Sequence, residues 1–382
     1  MEVKRTVPKY RRVKQMILAW IEEGRIKPGE RIPVERELSA HFAVSRQTVR
    51  QAISELTHEG MLDRRQGKGT FCSGGSRSAA GGAARTARTI CVITTYISDY
   101  IFPHIIRGIE QHLSANGYAI MLLSTQNDPD KERRALESAW ERGVDGVILE
   151  PTKSMLPNPN LDLFNRLAEA GVAMVWLHAA YDEVCALLVA VDDRRGAEIA
   201  TWHCWERGHR RIGAIMKIDD RQGVLRLEGY VQALLKAGVP FMPDAIAFYT
   251  TETRRAVCRS YANRMAGLPP SGRPTAVVCY NDEIAAQLVH TLRQIGFRVP
   301  EEVSVVGFDN SQFAEIGHPA LTSVQHPKWE MGVKAAQIIL ELVEGRLPAG
   351  EAAGCLFQPR LVERDSVRRI DAPLTVGSSP PA

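Results

Sequence analysis

Residues 89–124 read TICVITTYISDYIFPHIIRGIEQHLSANGYAIMLLS: an apolar run, a helical stretch, then a second apolar run. TICVIT has no polar alternation, so a strand there would be buried on both faces. The unit recurs. YAIMLLS leads into PDKERRALESAWERG, and GVILE, AMVWL, CALLVAV, RIGAIM, TAVVCY and VSVVGF follow as further apolar runs to about residue 368, most of them entering helical stretches. Continuous apolar strands between helices predict an α/β body with parallel sheets covered on both faces. In such sheets ligands bind beyond the carboxyl ends of the strands, so the residues after each run are the candidates.

Those residues share a character. Tyr96, Ser98, Asp99 and Tyr100 follow the first run; Glu150 with Lys153, then His178, follow later ones. Asp193, Asp219 with Gln222, Asn281 with Asp282, Asp309 and His326 complete the series. Carboxylates and amides bind vicinal hydroxyls, and a ring such as Tyr96 packs on the C–H face of a sugar. The alternative is that Asp and Asn cap the following helices. Asp193 and Asp282 each directly precede a helix and suit that role best. Tyr96, Asp99, Glu150 and Lys153 sit at no helix start.

The chain has 382 residues, 45% apolar and 24% charged, enough for two or three globular domains. Its net charge of +4 is unevenly spread: residues 1–88 hold 18 Lys and Arg against 9 Asp and Glu, and the remainder 30 against 35. A basic head on a mildly acidic body suggests that one end meets a polyanion. Seven cysteines form no CxxC pair, which fits a reducing compartment. With no signal-like apolar core at the start and no apolar run of membrane-spanning length, a cytoplasmic protein is expected. The zones expected are 1–72, 73–88 as a flexible Gly/Ser/Ala linker, 89–368, and a disordered tail over 369–382.

Within the head, Val13, Met16, Ile17, Trp20 and Ile21 form one stripe of a first helix, from about Tyr10 to Glu23. RIKPGERIP then leads to a second helix, VERELSAHFA. A third, SRQTVRQAISELTHEG, has Ser45 as N-cap and Val49, Ile53 and Leu56 as inner face. Arg46, Gln47 and Arg50 then lie on its outer, N-terminal side, where a recognition helix needs long donors. MLDRRQGKGTFC reads as two short strands joined by a glycine-tipped wing.

From Pro8 to Phe71 the chain resembles the GntR family of bacterial winged-helix regulators, through KPGERIP, ERELS, VSRQTVRQAISEL, EGML and RRQGKGTF. The resemblance implies DNA contacts from Arg36, Arg46, Thr48 and Arg50, with Gln66 and Gly67 at the wing; Ser45 and Gln47 at the start of the third helix and Lys68 at the wing tip join them as DNA-binding candidates. Val34 departs from it, since the family usually has a capping Ser there. From Thr89 to Arg368 the chain resembles LacI-type effector domains, similar to periplasmic sugar-binding proteins, through GHRRIGAI, RLEGYVQAL, CYNDEIAAQ, VPEEVSVVGFDN and LTSVQHP. The combination resembles the arabinose-responsive repressors of Gram-positive bacteria. It implies two lobes joined by three crossovers, operator DNA as partner, L-arabinose as small-molecule effector, homodimerisation and no cofactor. No GxGxxG follows the first strand, and no P-loop, GxSxG or HExxH occurs, so no enzyme is expected. His203, Cys204 and His209 lie in WHCWERGHRR, at the end of a helix that the resemblance accounts for without a metal.

Overall fold

The computed structural model describes residues 9–22, 25–27, 29–42, 44–58, 61–65, 69–72, 88–346 and 354–370. The chain divides into two compact units, Met1–Thr86 and Ala87–Ala382. Gln66, Gly67, Lys68, residues 73–87 of the expected linker and the tail from 371 lie outside the described residues.

The smaller unit holds α1 (Lys9–Glu22), α2 (Glu35–His41), α3 (Arg46–His58) and a hairpin of β1 (Leu62–Arg65) antiparallel to β2 (Gly69–Cys72). The α1 stripe turns inward at Val13 and Ile17, which are buried with Leu38, Val49, Ile53, Leu56 and Leu62. Met16, expected in the stripe, is 44% exposed, at the margin of a small core. The loop before α2 adds to the hairpin: Ile32 N–H donates to Thr70 O at 2.9 Å, and Cys72 N–H to Glu30 O at 2.7 Å. Val34 has no side-chain acceptor, yet Glu37 Oε2 accepts from Val34 N–H at 3.0 Å, so half of a capping box survives.

The larger unit builds two parallel sheets. Its first lobe contains β3 (Thr89–Thr94), α4 (Phe102–Ala115), β4 (Ala119–Ser124), α5 (Pro129–Arg142), β5 (Gly146–Leu149), α6 (Leu161–Glu169), β6 (Ala173–Leu177) and β7 (Leu187–Val191). The second contains α7 (Asp193–Glu206), β8 (Ile212–Lys217), α8 (Arg221–Lys236), β9 (Ile246–Tyr249), α9 (Arg254–Gly267), β10 (Ala276–Cys279), α10 (Asp282–Gln294), β11 (Ser304–Asp309), α11 (Gln312–Ile316) and β12 (Thr322–Gln325). The chain then returns to the first lobe for α12 (Lys328–Val343) and β13 (Cys355–Phe357), and ends in the second with β14 (Arg360–Val362). The sheet orders are β13-β7-β6-β5-β3-β4 and β14-β12-β11-β10-β8-β9. Only β14 runs antiparallel among their described pairings. The backbone therefore passes between the lobes at three places, after β7, β12 and β13.

Each lobe is set by one close helix crossing. A Cβ on Gly332 of α12 would stand 2.1 Å from Ile105 O of α4, and one on Gly229 of α8 would stand 2.0 Å from Arg194 O of α7. Side chains are excluded there, so the helices meet backbone to backbone. The first crossing sets α4, which follows Tyr96–Tyr100, against α12, which follows His326. The second places Arg226, one turn before Gly229, against Asp193. Gly332→Ala is expected to force these helices apart and lower stability by about 1–3 kcal/mol or more, read as a fall in the melting temperature of the larger unit.

Candidate functional site

The lobes enclose a cavity of about 390 Å³ at the carboxyl ends of both sheets. From the first lobe come Tyr96, Ser98, Asp99, Tyr100, Phe102, Asn127, Glu150 and His178; from the second come Lys217, Asp220, Gln222, Arg226, Tyr280, Asn281 and Asp309. His326 lines it from the connection between β12 and α12. The backbone itself is bent to this purpose. Tyr100, Asn127, Lys153, His178 and Asp309 all have positive φ, at 62°, 57°, 44°, 64° and 95°. For a residue with a side chain each such conformation costs of order 1–3 kcal/mol, and such strain clusters at ligand sites.

Arg226 is the buried hub. Its Nε donates to Asp193 Oδ1 at 2.8 Å and its Nη1 to Tyr280 O at 2.6 Å, while Nη2 stands 3.5 Å from Asp309 Oδ1. Its guanidinium lies 3.6 Å from the centroid of the Phe308 ring and 4.7 Å from that of Tyr280. Burial raises the Asp193 carboxyl to about 6 even though Arg226 opposes it. Burial, then the nearby Asp309 charge, lifts Asp282 to about 7.

The first lobe contributes a different chain. Glu150 Oε2 accepts from Thr95 N–H at 2.9 Å and from its hydroxyl at 2.5 Å. Glu150 Oε1 is 2.9 Å from His178 Nδ1, and His178 Nε2 is 3.1 Å from His326 Nε2. Three buried atoms around the cavity, Gln222 Oε1, Asp309 Oδ1 and His326 Nδ1, have no hydrogen-bond partner among the described residues. Buried polar groups are rarely left so; of the three, Asp309 Oδ1 has the Arg226 guanidinium as its ionic neighbour at 3.5 Å.

Ten of the expected effector residues line the cavity; Lys153, Asp193, Asp219 and Asp282 stand behind it. Lys153 Nζ bonds Glu252 across the cleft at 2.5 Å. Asp219 Oδ2 accepts from Thr251 N–H at 2.9 Å and from its hydroxyl at 2.7 Å. Asp282 accepts from Ser311 N–H at 2.7 Å and Ser323 Oγ at 2.5 Å. The caps of α7 and α10 are Asp192 and Asn281 instead of Asp193 and Asp282. Strand-end reasoning missed Arg226, Lys217, Asp220, Tyr280 and Arg254. Arg226 lies within α8 on the buried stripe of Gln222, Gly229, Tyr230 and Ala233, and a cation on such a stripe was the available signal. His203 stands 3.7 Å from Glu363, and His209 bonds Thr275 Oγ1 and Arg368 O, so their ring nitrogens have structural neighbours. Among the described residues no group of three His, Cys, Asp or Glu is placed to hold a metal ion, and no helix is long and apolar enough to cross a membrane.

The smaller unit presents a second candidate surface. Arg36, Arg46, Gln47 and Arg50 are exposed, and Ser45 Oγ accepts from Thr48 N–H at 3.2 Å at the start of α3. Arg50 Nη2 donates to Glu35 Oε2 at 3.0 Å, with Arg64 of β1 at 3.8 Å from the same carboxylate. Arg50 lowers the Glu35 pKa, chiefly through this hydrogen bond. Arg31, Arg36, Arg50 and Arg64 line an open groove of about 710 Å³.

Replacing Arg226 by Met leaves Asp193 and Asp309 without their buried counter-charge, with an expected loss of about 3–5 kcal/mol. Asp193 has a folded pKa near 6 against an ordinary 3.8, so ionising it opposes folding. Stability from this group is present below its ordinary pKa and is lost as pH rises through about 6. The Arg226→Met deficit should therefore be largest above that pH and shrink on acidification, as thermal denaturation across that range would register.

The chain matches the model of the gntR family of bacterial regulatory proteins over residues 9–72, and that of a periplasmic binding protein-like domain over residues 201–367. It is 42% identical over 366 residues to the arabinose metabolism transcriptional repressor of Geobacillus stearothermophilus, covering 96% of this chain and 99% of that protein. A protein of the same name from Halalkalibacterium halodurans is 42% identical over 363 residues, covering 94% and 96%. Among solved structures, the transcriptional regulator CelR in complex with cellobiose superposes with a TM-score of 0.64 at 25% identity, covering 88% of this chain and all of that one.

Proposed function

Because the chain belongs to the family of arabinose metabolism transcriptional repressors, we propose that it holds an operator as a homodimer and releases it when L-arabinose fills the cleft. The observation that carries this reading is the cavity between the lobes, lined by Gln222 and His326, each with a buried polar atom that has no hydrogen-bond partner among the described residues. Its volume of about 390 Å³ falls in the usual range for small-ligand sites, ~300–1,000 Å³. Lys217 pairs with Asp220 at 2.8 Å, Arg254 with Glu283 at 3.0 Å and Arg226 with Asp193 at 2.8 Å. These cations are already matched, so the lining favours an uncharged polyol over a phosphorylated sugar. Tyr96 and Phe102, 5.9 Å apart, offer ring surface for C–H faces.

On the DNA side, α3 enters the major groove with Arg46, Gln47 and Arg50 toward bases or phosphates. Arg36, Ser45 and Thr48 serve the backbone, and the wing of Gln66, Gly67 and Lys68 lies alongside. A homodimer is the expectation from the sequence resemblance, and the exposed Phe248 on the edge strand β9 is apolar surface compatible with a second copy. Effector must bind the releasing state more tightly: a ~100-fold change in operator affinity needs roughly 2.7 kcal/mol of coupling.

A thermal-shift series over pentoses, hexoses and their phosphates tests the effector, because ligand bound to the native state raises apparent stability. L-arabinose is expected to raise the melting temperature; no response to any sugar overturns the effector assignment. Glu150→Ala should abolish the sugar response while gel shifts still report operator binding, and persistent induction would remove Glu150 from the pocket. Arg46→Ala or Arg50→Ala should weaken operator binding by about 1–3 kcal/mol if the side chain reads a base. Unchanged affinity in both would displace α3 as the reading helix.

A further inference from the structure

Glu150, His178 and His326 form one line of hydrogen bonds that begins in the first lobe and ends at His326, a residue that lines the cleft. Glu150 Oε1 meets His178 Nδ1 at 2.9 Å, and His178 Nε2 meets His326 Nε2 at 3.1 Å. All three residues are buried, and His326 Nδ1 has no partner among the described residues. His178 is held with φ at 64°, an unusual backbone for a side-chain-bearing residue, and its N–H donates to Val189 O at 2.9 Å. Its ring meets the edge of Phe102 at 6.3 Å. Position and ring orientation are thus fixed from several sides.

Two facing ring nitrogens can share only one proton. When His178 is neutral, its Nδ1–H donates to Glu150 and its Nε2 lone pair accepts from His326 Nε2–H. His326 Nδ1 is then a lone-pair acceptor with no partner among the described residues. Adding one proton at His326 Nδ1 moves the bridging proton to His178 Nε2, which makes His178 an imidazolium against Glu150 and leaves His326 neutral. The cleft then meets a donor. One proton enters, one crosses between the rings, and no other bond changes.

We propose that His178 and Glu150 are positioning residues that set, by this relay, whether His326 offers the effector a donor or an acceptor, so that effector binding is linked to one proton. The inference rests on the effector reading above. The surroundings favour charge on His178. Burial works against it, but the Glu150 hydrogen bond and charge, aided by Asp193 at the start of α7 and Asp309 at the end of β11, raise the His178 pKa overall. His326 is pushed well below the ordinary value by burial, then by His178, Lys328 and Arg226. The ring that is kept neutral is therefore the one facing ligand. Gln222 Oε1, without a hydrogen-bond partner among the described residues, already supplies an acceptor for a hydroxyl proton. A sugar oxygen with two lone pairs gains more from the donor form, so binding should tighten as pH falls through the His178 transition.

The tautomer is directly observable in the full-length protein without sugar. Long-range proton–nitrogen spectra of ¹⁵N-histidine-labelled protein, from about pH 5.5 to 9, should show His178 becoming an imidazolium on acidification. In the same transition the His326 proton should move from Nε2 to Nδ1. His178→Gln and His326→Gln assign the signals, and a His326 tautomer that ignores the His178 titration overturns the relay. Calorimetry with L-arabinose then reads the linkage. Its Kd should rise with pH above the transition, by up to ~10-fold per unit for one proton, and His178→Gln should flatten the profile. A flat wild-type profile, or an unchanged slope in His178→Gln, overturns the linkage. Absence of any arabinose signal counts against the effector reading alone, because the tautomer result needs no sugar.

Discussion

The guanidinium of Arg226 is the interaction on which the cleft between the lobes depends. It is clamped by Asp193 from α7, Tyr280 O beyond β10 and Asp309 from β11, between the rings of Phe308 and Tyr280. A buried cation tolerates no vacancy among its counter-charges, so these elements are locked into one relative placement. Asp309 in turn accepts from Tyr100 of the other lobe at 2.6 Å. One charged group thereby ties the second lobe together and reaches the first through a single tyrosine.

Further bonds bridge the cleft besides that contact. Asn127 Nδ2 donates to Thr251 Oγ1 at 2.6 Å, Lys153 pairs with Glu252, and Arg221 N–H donates to Ser154 Oγ at 2.9 Å. The Lys153 hydrogen bond, with one from Thr250, holds the Glu252 carboxyl down to about 2. These bonds across the lobes are polar, joined by the Tyr100–Phe313 ring stack at 6.1 Å, whereas each lobe has separate apolar cores on the two faces of its sheet. Polar bridges exchange with water at little net cost, about 0.5–1.5 kcal/mol each, while the cores resist deformation.

In the smaller unit the same logic operates at the surface. Glu35 gathers Arg50 and Arg64 from two different elements without being deeply buried, its side chain 25% exposed. Exposed pairs contribute little to stability. Their effect is orientation: Arg50 extends from α3 in a defined direction, while Arg36 and Arg46 remain exposed. The hydrophobic core beneath, from Val13 to Leu62, keeps α3 and the hairpin in register.

Periodicity alone determined the architecture, because an apolar run of five or six residues between helices has few ways to be buried other than in a covered parallel sheet. GVILE and AMVWL became β5 and β6 as read, and the residues following them, Glu150 and His178, reached the cleft. The head was equally legible, since Val49, Ile53 and Leu56 lie one helical turn apart and all face inward. What sequence could not decide was which of two adjacent polar residues turns toward ligand. Asp192 caps while Asp193 pairs with Arg226; Asn281 lines the cavity while Asp282 is enclosed by serines. Those choices belong to the tertiary structure, because they depend on contacts between side chains far apart in the chain, 148 residues for His178 and His326 and 209 for Tyr100 and Asp309. Local patterning carries the period of an element but not the distance across a cleft.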